Sequence, residues 1–200
     1  MEKIIKLKER KKKMKETLLK ILEEYLKVFP EEAERQKEYR KYLEKAKENE
    51  VADWNNFDGH TVATGFIYNK EIKKFLVVHH RDLDMYLSPG GHVDLEDENP
   101  LNTAKREVKE ETGISNLEYI NINKNKLIPL DIDTHTIDYN KRKNLPEHHH
   151  FDHRYLFEIN KTTEIKIAEE ELSEYQWVEI DKLIRNPKYE IIVNKLKKII

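Results

Sequence analysis

The chain contains no cysteine. That excludes disulfides, thiolate nucleophiles and cysteine-ligated metal, and it removes the usual sign of a secreted, stapled scaffold. Glycine (5) and proline (6) are scarce. Long apolar runs are missing as well: nothing approaches the roughly 20 residues of a membrane span, and the opening Met-Glu-Lys-Ile-Ile-Lys lacks the apolar run of a signal peptide. Nor does one charge dominate. Of 200 residues 38% are charged, yet the formal net charge is -2, which argues against bulk electrostatic binding of nucleic acid. A soluble, cytoplasmic protein with one well-buried domain and an appendage is expected.

What is present divides the chain in two. Residues 1–50 hold no glycine and one proline, Pro30. Met14, Leu18, Ile21, Leu22, Tyr25 and Phe29 recur at helical spacing, and a thinner stripe of Ala33, Tyr39, Tyr42, Leu43 and Ala46 follows Pro30. This predicts a helical hairpin, the second helix running over Glu31–Asn49, that packs on the main domain or forms a homodimer with a second copy. The basic run Lys6–Lys15 reads as a solvated face. Residues 51–200 form the main domain. Val51–Gly59 is a linker with turn chemistry, in which Trp54 and Phe57 could stack on a nucleobase but are expected to cover the core edge. Strands are predicted over His60–Tyr68, Lys73–His80, Leu117–Ile122, Leu127–Ile132, His148–Ile159 and Glu174–Val178. Helices are predicted over Asp181–Arg185 and Tyr189–Ile200, the latter burying Ile191, Ile192, Leu196 and Ile199.

Between the second and third strands lies the stretch around which the rest is organised. Asn99 suits an N-cap, Pro100 the first helical position and Gly113 the residue past the end. On that short helix Leu101, Ala104 and Val108 share a core-facing side, while Glu107, Glu110 and Glu111 share another, flanked by Arg106. Local physics opposes the acidic sector. Like charges three and four apart repel, and the helix dipole disfavours anions in the last turn. A hard dication such as Mg²⁺ would reverse the sign, since it takes oxygen ligands and keeps waters for a phosphate substrate.

The residues from Gly91 to Ile114 resemble the Nudix box, G-x5-E-x7-R-E-U-x-E-E-x-G-U with U aliphatic. Glu98, Arg106, Glu107, Val108, Glu110, Glu111, Gly113 and Ile114 fill the fixed positions. One departure stands out: six residues rather than five separate Gly91 from Glu98. The resemblance implies an α/β (α+β) fold, a mixed β-sheet sandwiched between helices, here with the N-terminal hairpin added. It also implies Mg²⁺- or Mn²⁺-dependent hydrolysis of a small-molecule partner, a nucleoside diphosphate linked to another moiety such as ADP-ribose, a nucleotide sugar or a dinucleoside polyphosphate. Glu107, Glu110, Glu111 and a carbonyl at Gly90 would hold the metal. Arg106 would fix a catalytic glutamate, and Glu98 would brace the loop. The general base is Glu107 or one of Glu169, Glu170 and Glu171. The same resemblance brings two alternatives: a non-catalytic ligand-binding regulator, which typically loses box glutamates, and an isopentenyl diphosphate isomerase-like enzyme, which needs a cysteine this chain lacks.

Strand alternation puts His148, His150, Asp152 and Arg154 on one side of their strand, and His149, Phe151, His153, Tyr155 and Phe157 on the other. The aromatic side is expected to pack inward and the polar side to line a substrate cleft, with Arg154 the best phosphate partner. A zinc site is not expected from these histidines, because spacing along one strand scatters them.

Overall fold

A computed structural model describes residues 2–48, 50–94, 96–123, 127–141, 144–160 and 164–200; of residues 2–13 only the helical backbone is described. Asn49, the end of the predicted second helix, Leu95 in the box, and the side chains of most of the basic run lie outside the described residues.

The centre is a mixed eight-stranded sheet. Strand β1 (His60–Asn69) pairs in parallel with β7 (His148–Ile159) along its whole length. On its other edge β1 meets two partners in turn. Its first half pairs with β4 (Gly90–His92) and its last residues with β2 (Lys74–His80). Strand β2 is flanked by β3 (Met85–Leu87) and β8 (Leu172–Val178), while β7 carries β5 (Glu118–Tyr119) and β6 (Asp131–Ile137). β3 and β4 fall where the sequence suggests polar loop, because three-residue strands are too short to show a period. The predicted Leu117–Ile122 strand shrinks to two residues. The Leu127–Ile132 strand instead begins at Asp131 and runs through His135.

Alternation along β1 sends Ala63 and Ile67 to one face and Phe66 and Tyr68 to the other. On the first face sits helix α3 (Pro100–Thr112), burying Leu101, Ala104 and Val108 against Ala63, Ile67, Tyr155 and Phe157. Trp177 packs into the same cluster as Val108. On the second face α4 (Ile180–Leu183) and α5 (Glu190–Leu196) cover Phe66, Phe75 and Leu156. Helix α5 buries Ile192, Val193 and Leu196, whereas Ile191 and Ile199 are exposed. The stripe is shifted because the helix starts at Glu190, after a 3₁₀ turn at Pro187–Tyr189, and ends at Leu196.

The N-terminal segment forms α1 (Glu2–Val28) and α2 (Lys37–Lys45), the second shorter than predicted, joined through a 3₁₀ turn at Pro30–Glu32. Leu18, Leu22, Tyr25, Tyr39 and Leu43 are fully buried, and they share one apolar cluster with Ile128, Ile132 and Phe151 of the main domain. The apolar stripe is thus spent on the chain's own sheet. The expected linker is part of this core too: Val51 and Ala52 are buried, and the Val51 carbonyl accepts a hydrogen bond from the Thr61 amide.

A buried ionic network joins hairpin, sheet and α5. Asp131 is fully buried and accepts hydrogen bonds from Arg35 (2.5 Å), Lys195 (3.0 Å) and Arg154 (3.2 Å). Burial alone would raise its pKa, but Lys195, Arg154 and Arg35 hold it down to about 2. Glu32 supplies a second anion, contacting Arg35, Tyr25 and Lys195.

Candidate active site

Helix α3 is capped as its sequence asks. The Asn99 side chain accepts from the Asn102 amide at 3.0 Å, and Gly113 takes φ 73°, the left-handed conformation that favours glycine. With both ends fixed, the acidic sector points at β4. There the two adjacent glycines permit close approach. A Cβ on Gly91 would lie 2.6 Å from the Glu107 carboxylate, and one on Gly90 would lie 2.6 Å from the Ala63 carbonyl oxygen. Gly90 thus lets β4 lie close against β1, and Gly91 leaves room for the Glu107 carboxylate where it now sits.

Glu107, Glu110 and Glu111 all line one cleft of about 1150 Å³, above the usual range for small-molecule sites. Glu170 and Glu171 line it too. Burial raises the pKa of Glu111 to about 8; the Gly90 amide opposes this, and Glu107, Glu171 and Glu110 push it further up. That amide lies 3.4 Å from Glu111 Oε1. Burial also raises Glu107, with Arg106 pulling the other way. These are crowded oxygen donors with too little positive charge among them. The set fits a hard dication, whose ligands are oxygen atoms and whose charge would offset the crowding.

Arg106 is the organiser. Its guanidinium donates to Glu107 (2.8 Å), Glu110 (3.0 Å), the His92 carbonyl (2.9 Å) and Asp97 (2.9 Å). Asp97 also accepts from the Thr103 hydroxyl (2.8 Å) and the Asp94 amide (3.0 Å). Asp97 therefore takes part in the bracing that the sequence assigns to Glu98. The signal lies in the spacing. Five residues separate Gly91 from Asp97, the interval that the box itself asks for. Asp97→Asn is expected to lower turnover about 10- to 100-fold, as loss of a supporting partner does. Steady-state rates decide, and an unchanged rate would remove the bracing role from Asp97.

The polar side of β7 faces the same cleft, where His150, Asp152 and Arg154 lie on its wall. His148 is buried behind them. The role read for Arg154 needs correcting. It is 1% exposed, and its guanidinium is held by Asp152 (2.8 Å), Asp133 (2.8 Å), Asp131 (3.2 Å) and the Lys188 carbonyl (2.7 Å). A cation so enclosed by carboxylates has little left for a phosphate. Asp152 is spent likewise on Arg154 and the Thr64 hydroxyl (2.8 Å). Two further groups face the cleft: Lys188, which the sequence does not single out for the site, and the exposed Trp54. No local pattern marks Lys188; only the turn before α5 brings it there.

The arrangement can hold a dication beside a roomy cleft, and known proteins agree with the frame. The probable DHNTP pyrophosphohydrolase of Lactococcus lactis subsp. cremoris (strain MG1363) is 39% identical over 100 residues, which cover 50% of this chain and 54% of that protein. The chain thus spans about half the length of the curated relative it matches. A Nudix-family hydrolase from Clostridium perfringens has the same fold, with a TM-score of 0.54 at 21% identity over 70% of this chain and 98% of that one. An Ap4A hydrolase of C. elegans gives 0.52 at 22% identity, over 70% and 93%. A NUDIX domain model matches residues 58–197, well over half the chain, which therefore belongs to the Nudix family.

Proposed function

We propose that the chain is a Mg²⁺- or Mn²⁺-dependent pyrophosphohydrolase that cleaves a nucleoside diphosphate linked to a second moiety. The observation that carries this is the convergence of Glu107, Glu110 and Glu111 on one cleft, with Arg106 gripping Glu107 and Glu110. The three carboxylates, with the Gly90 carbonyl, would hold the metal, which would supply neutralisation of phosphoryl charge and a more acidic water. Arg106 keeps Glu107 and Glu110 in place, so their oxygens need no reorganisation when substrate arrives. Because Glu107 is already committed to Arg106, Glu171 is the freer acid to accept a proton from the attacking water. The backbone around it is anchored at two points. The Arg81 amide donates to the Glu171 carbonyl at 2.9 Å, and the Ala168 amide to the Glu111 carbonyl at 3.1 Å. Lys188, in place of Arg154, offers the cationic contact to the diphosphate.

The breadth of the cleft suits a two-part substrate. Trp54 stands on its rim, and an exposed indole there is better explained by stacking on a base than by packing over the core edge. Trp54→Ala should raise KM about tenfold with kcat little changed, the size of one lost base stack. An unaltered KM on the preferred substrate would remove the stacking role from Trp54. The reading as a whole is tested by a panel of ADP-ribose, a nucleotide sugar, a dinucleoside polyphosphate and DHNTP, the last taken from the name of the Lactococcus relative. Each is incubated with and without Mg²⁺ or Mn²⁺, and the products are identified. No metal-dependent cleavage of any member would count against it.

A further inference from the structure

Beside the carboxylates, three strands deliver one histidine each to a single point. His60 opens β1, His92 closes β4 and His150 lies on β7 directly opposite His60 in the parallel register. Their ring centroids are 4.8 Å (His60–His92), 4.8 Å (His60–His150) and 5.3 Å (His92–His150) apart. One nitrogen from each lies within 4.8 Å of the others. The reason for expecting no zinc here, scatter along one strand, fails because neighbouring strands supply the ligands.

The nitrogens are also left in the right state. His60 Nδ1 sits 3.3 Å from the Asn56 carbonyl oxygen. A carbonyl only accepts, so Nδ1 carries the proton and Nε2 presents its lone pair. That Nε2 is buried and has no hydrogen-bond partner, and neither has His150 Nε2. His60 is itself 2% exposed. Two unpartnered buried imidazole nitrogens in one cluster are an arrangement that needs an explanation, and an ion is one of the few available. The backbone carbonyl on the far nitrogen is the usual device for orienting a metal-bound imidazole. His148 stacks on the same group, 5.0 Å from His60 and 5.1 Å from His150, with its own Nδ1 2.7 Å from the Pro146 carbonyl.

We propose that His60, His92 and His150 form a second metal site, for Zn²⁺ or a similar nitrogen-preferring dication, separate from the carboxylate site. Three imidazoles suit zinc and not magnesium, which prefers oxygen. In a tetrahedral site the nitrogens stand about 3.3 Å apart, so binding draws the rings inward by rotation of their side chains. The fourth position opens to the cleft, because His92 and His150 both line it while His60 lies behind them. A water or an anionic oxygen of bound substrate would complete the shell there. The proposal rests on the histidines alone and survives whatever the glutamates prove to do.

The test is direct metal analysis. The chelator-stripped full chain is dialysed against Zn²⁺ with excess Mg²⁺ present, and bound zinc is counted per chain. The expected result is one equivalent, with affinity weakened about a hundredfold or more in His60→Gln and His150→Gln, since even supporting partners of such sites are worth 10- to 100-fold. Zinc binding should persist in Glu110→Gln. Loading with Co²⁺ should give the visible absorption of a tetrahedral nitrogen-ligated ion in the parent and not in the histidine variants. His92→Asn, whose side chain lies at the open edge, decides the matter if His60→Gln fails to fold. Undiminished zinc in the histidine variants, or zinc lost only with the glutamates, overturns the proposal.

Discussion

Glu111→Gln removes diphosphate hydrolysis while making the metal-free protein more stable. The two effects share one cause. The carboxylate is buried beside Glu107 and Glu110, with Glu171 adding its charge, so the fold tolerates its anion poorly. Its folded pKa of about 8 lies above the ordinary carboxylate value. The unfolded chain therefore releases this proton first as pH rises, and metal-free stability declines from the usual carboxylate range up to about pH 8. Glutamine, neutral and nearly isosteric, removes that slope. It also removes an oxygen anion from the metal shell. A loss of about a thousandfold in turnover is expected, some 4 kcal/mol of transition-state stabilisation. Glu110→Gln should lose activity similarly but without the gain in stability, because Glu110 is exposed and paired with Arg106 at 3.0 Å. In the parent, Mg²⁺ or Mn²⁺ at about 100 times its dissociation constant adds about 2.7 kcal/mol to stability. Melting curves with and without metal, alongside turnover, check all of this. Activity within a few-fold of the parent in both variants would be falsifying.

The second large effect lies away from the chemistry. Asp131→Asn should destabilise the fold by about 3 kcal/mol, the low end for breaking a buried ion pair. The low end applies because each cation keeps another carboxylate: Arg154 retains Asp152 and Asp133, and both Arg35 and Lys195 retain Glu32. The pH dependence has a definite sign. The folded pKa of about 2 lies below the reference 3.8, so the stabilisation is fully present above about pH 4 and fades as pH falls toward 2. It amounts to about 2 kcal/mol, from 1.36 kcal/mol per pKa unit. Urea midpoints at pH 7 and pH 3 should therefore differ less in Asp131→Asn than in the parent. A variant as stable as the parent at pH 7 would show that the network contributes little.

Residue order reveals some of this and hides the rest. Helix α3 is legible to the residue, because Asn99, Pro100 and Gly113 are local signals acting on local backbone. The alternation of β7 is legible for the same reason, and Phe151, Tyr155 and Phe157 are indeed buried. Partnerships across the sheet are not. In sequence Arg154 looks like a free cation, because the acids that enclose it sit on β6, more than twenty residues earlier, and on its own strand. Asp97 escapes notice because its neighbour Glu98 fits the expected residue type, and only the fold sets Asp97 against Arg106. The histidine trio is invisible in order along the chain, since it exists only through the register of β1 against β4 and β7.

The shared core of hairpin and sheet has a practical consequence. The family match begins at residue 58, yet Leu18, Leu22, Tyr39 and Leu43 lie before it and cover Ile132 and Phe151. A gene trimmed to that boundary would encode a sheet with a wet apolar face and an Asp131 stripped of Arg35, and such a face invites self-association. Poor yield or inactivity of the shortened product would then report missing cover, and would say nothing about the glutamates.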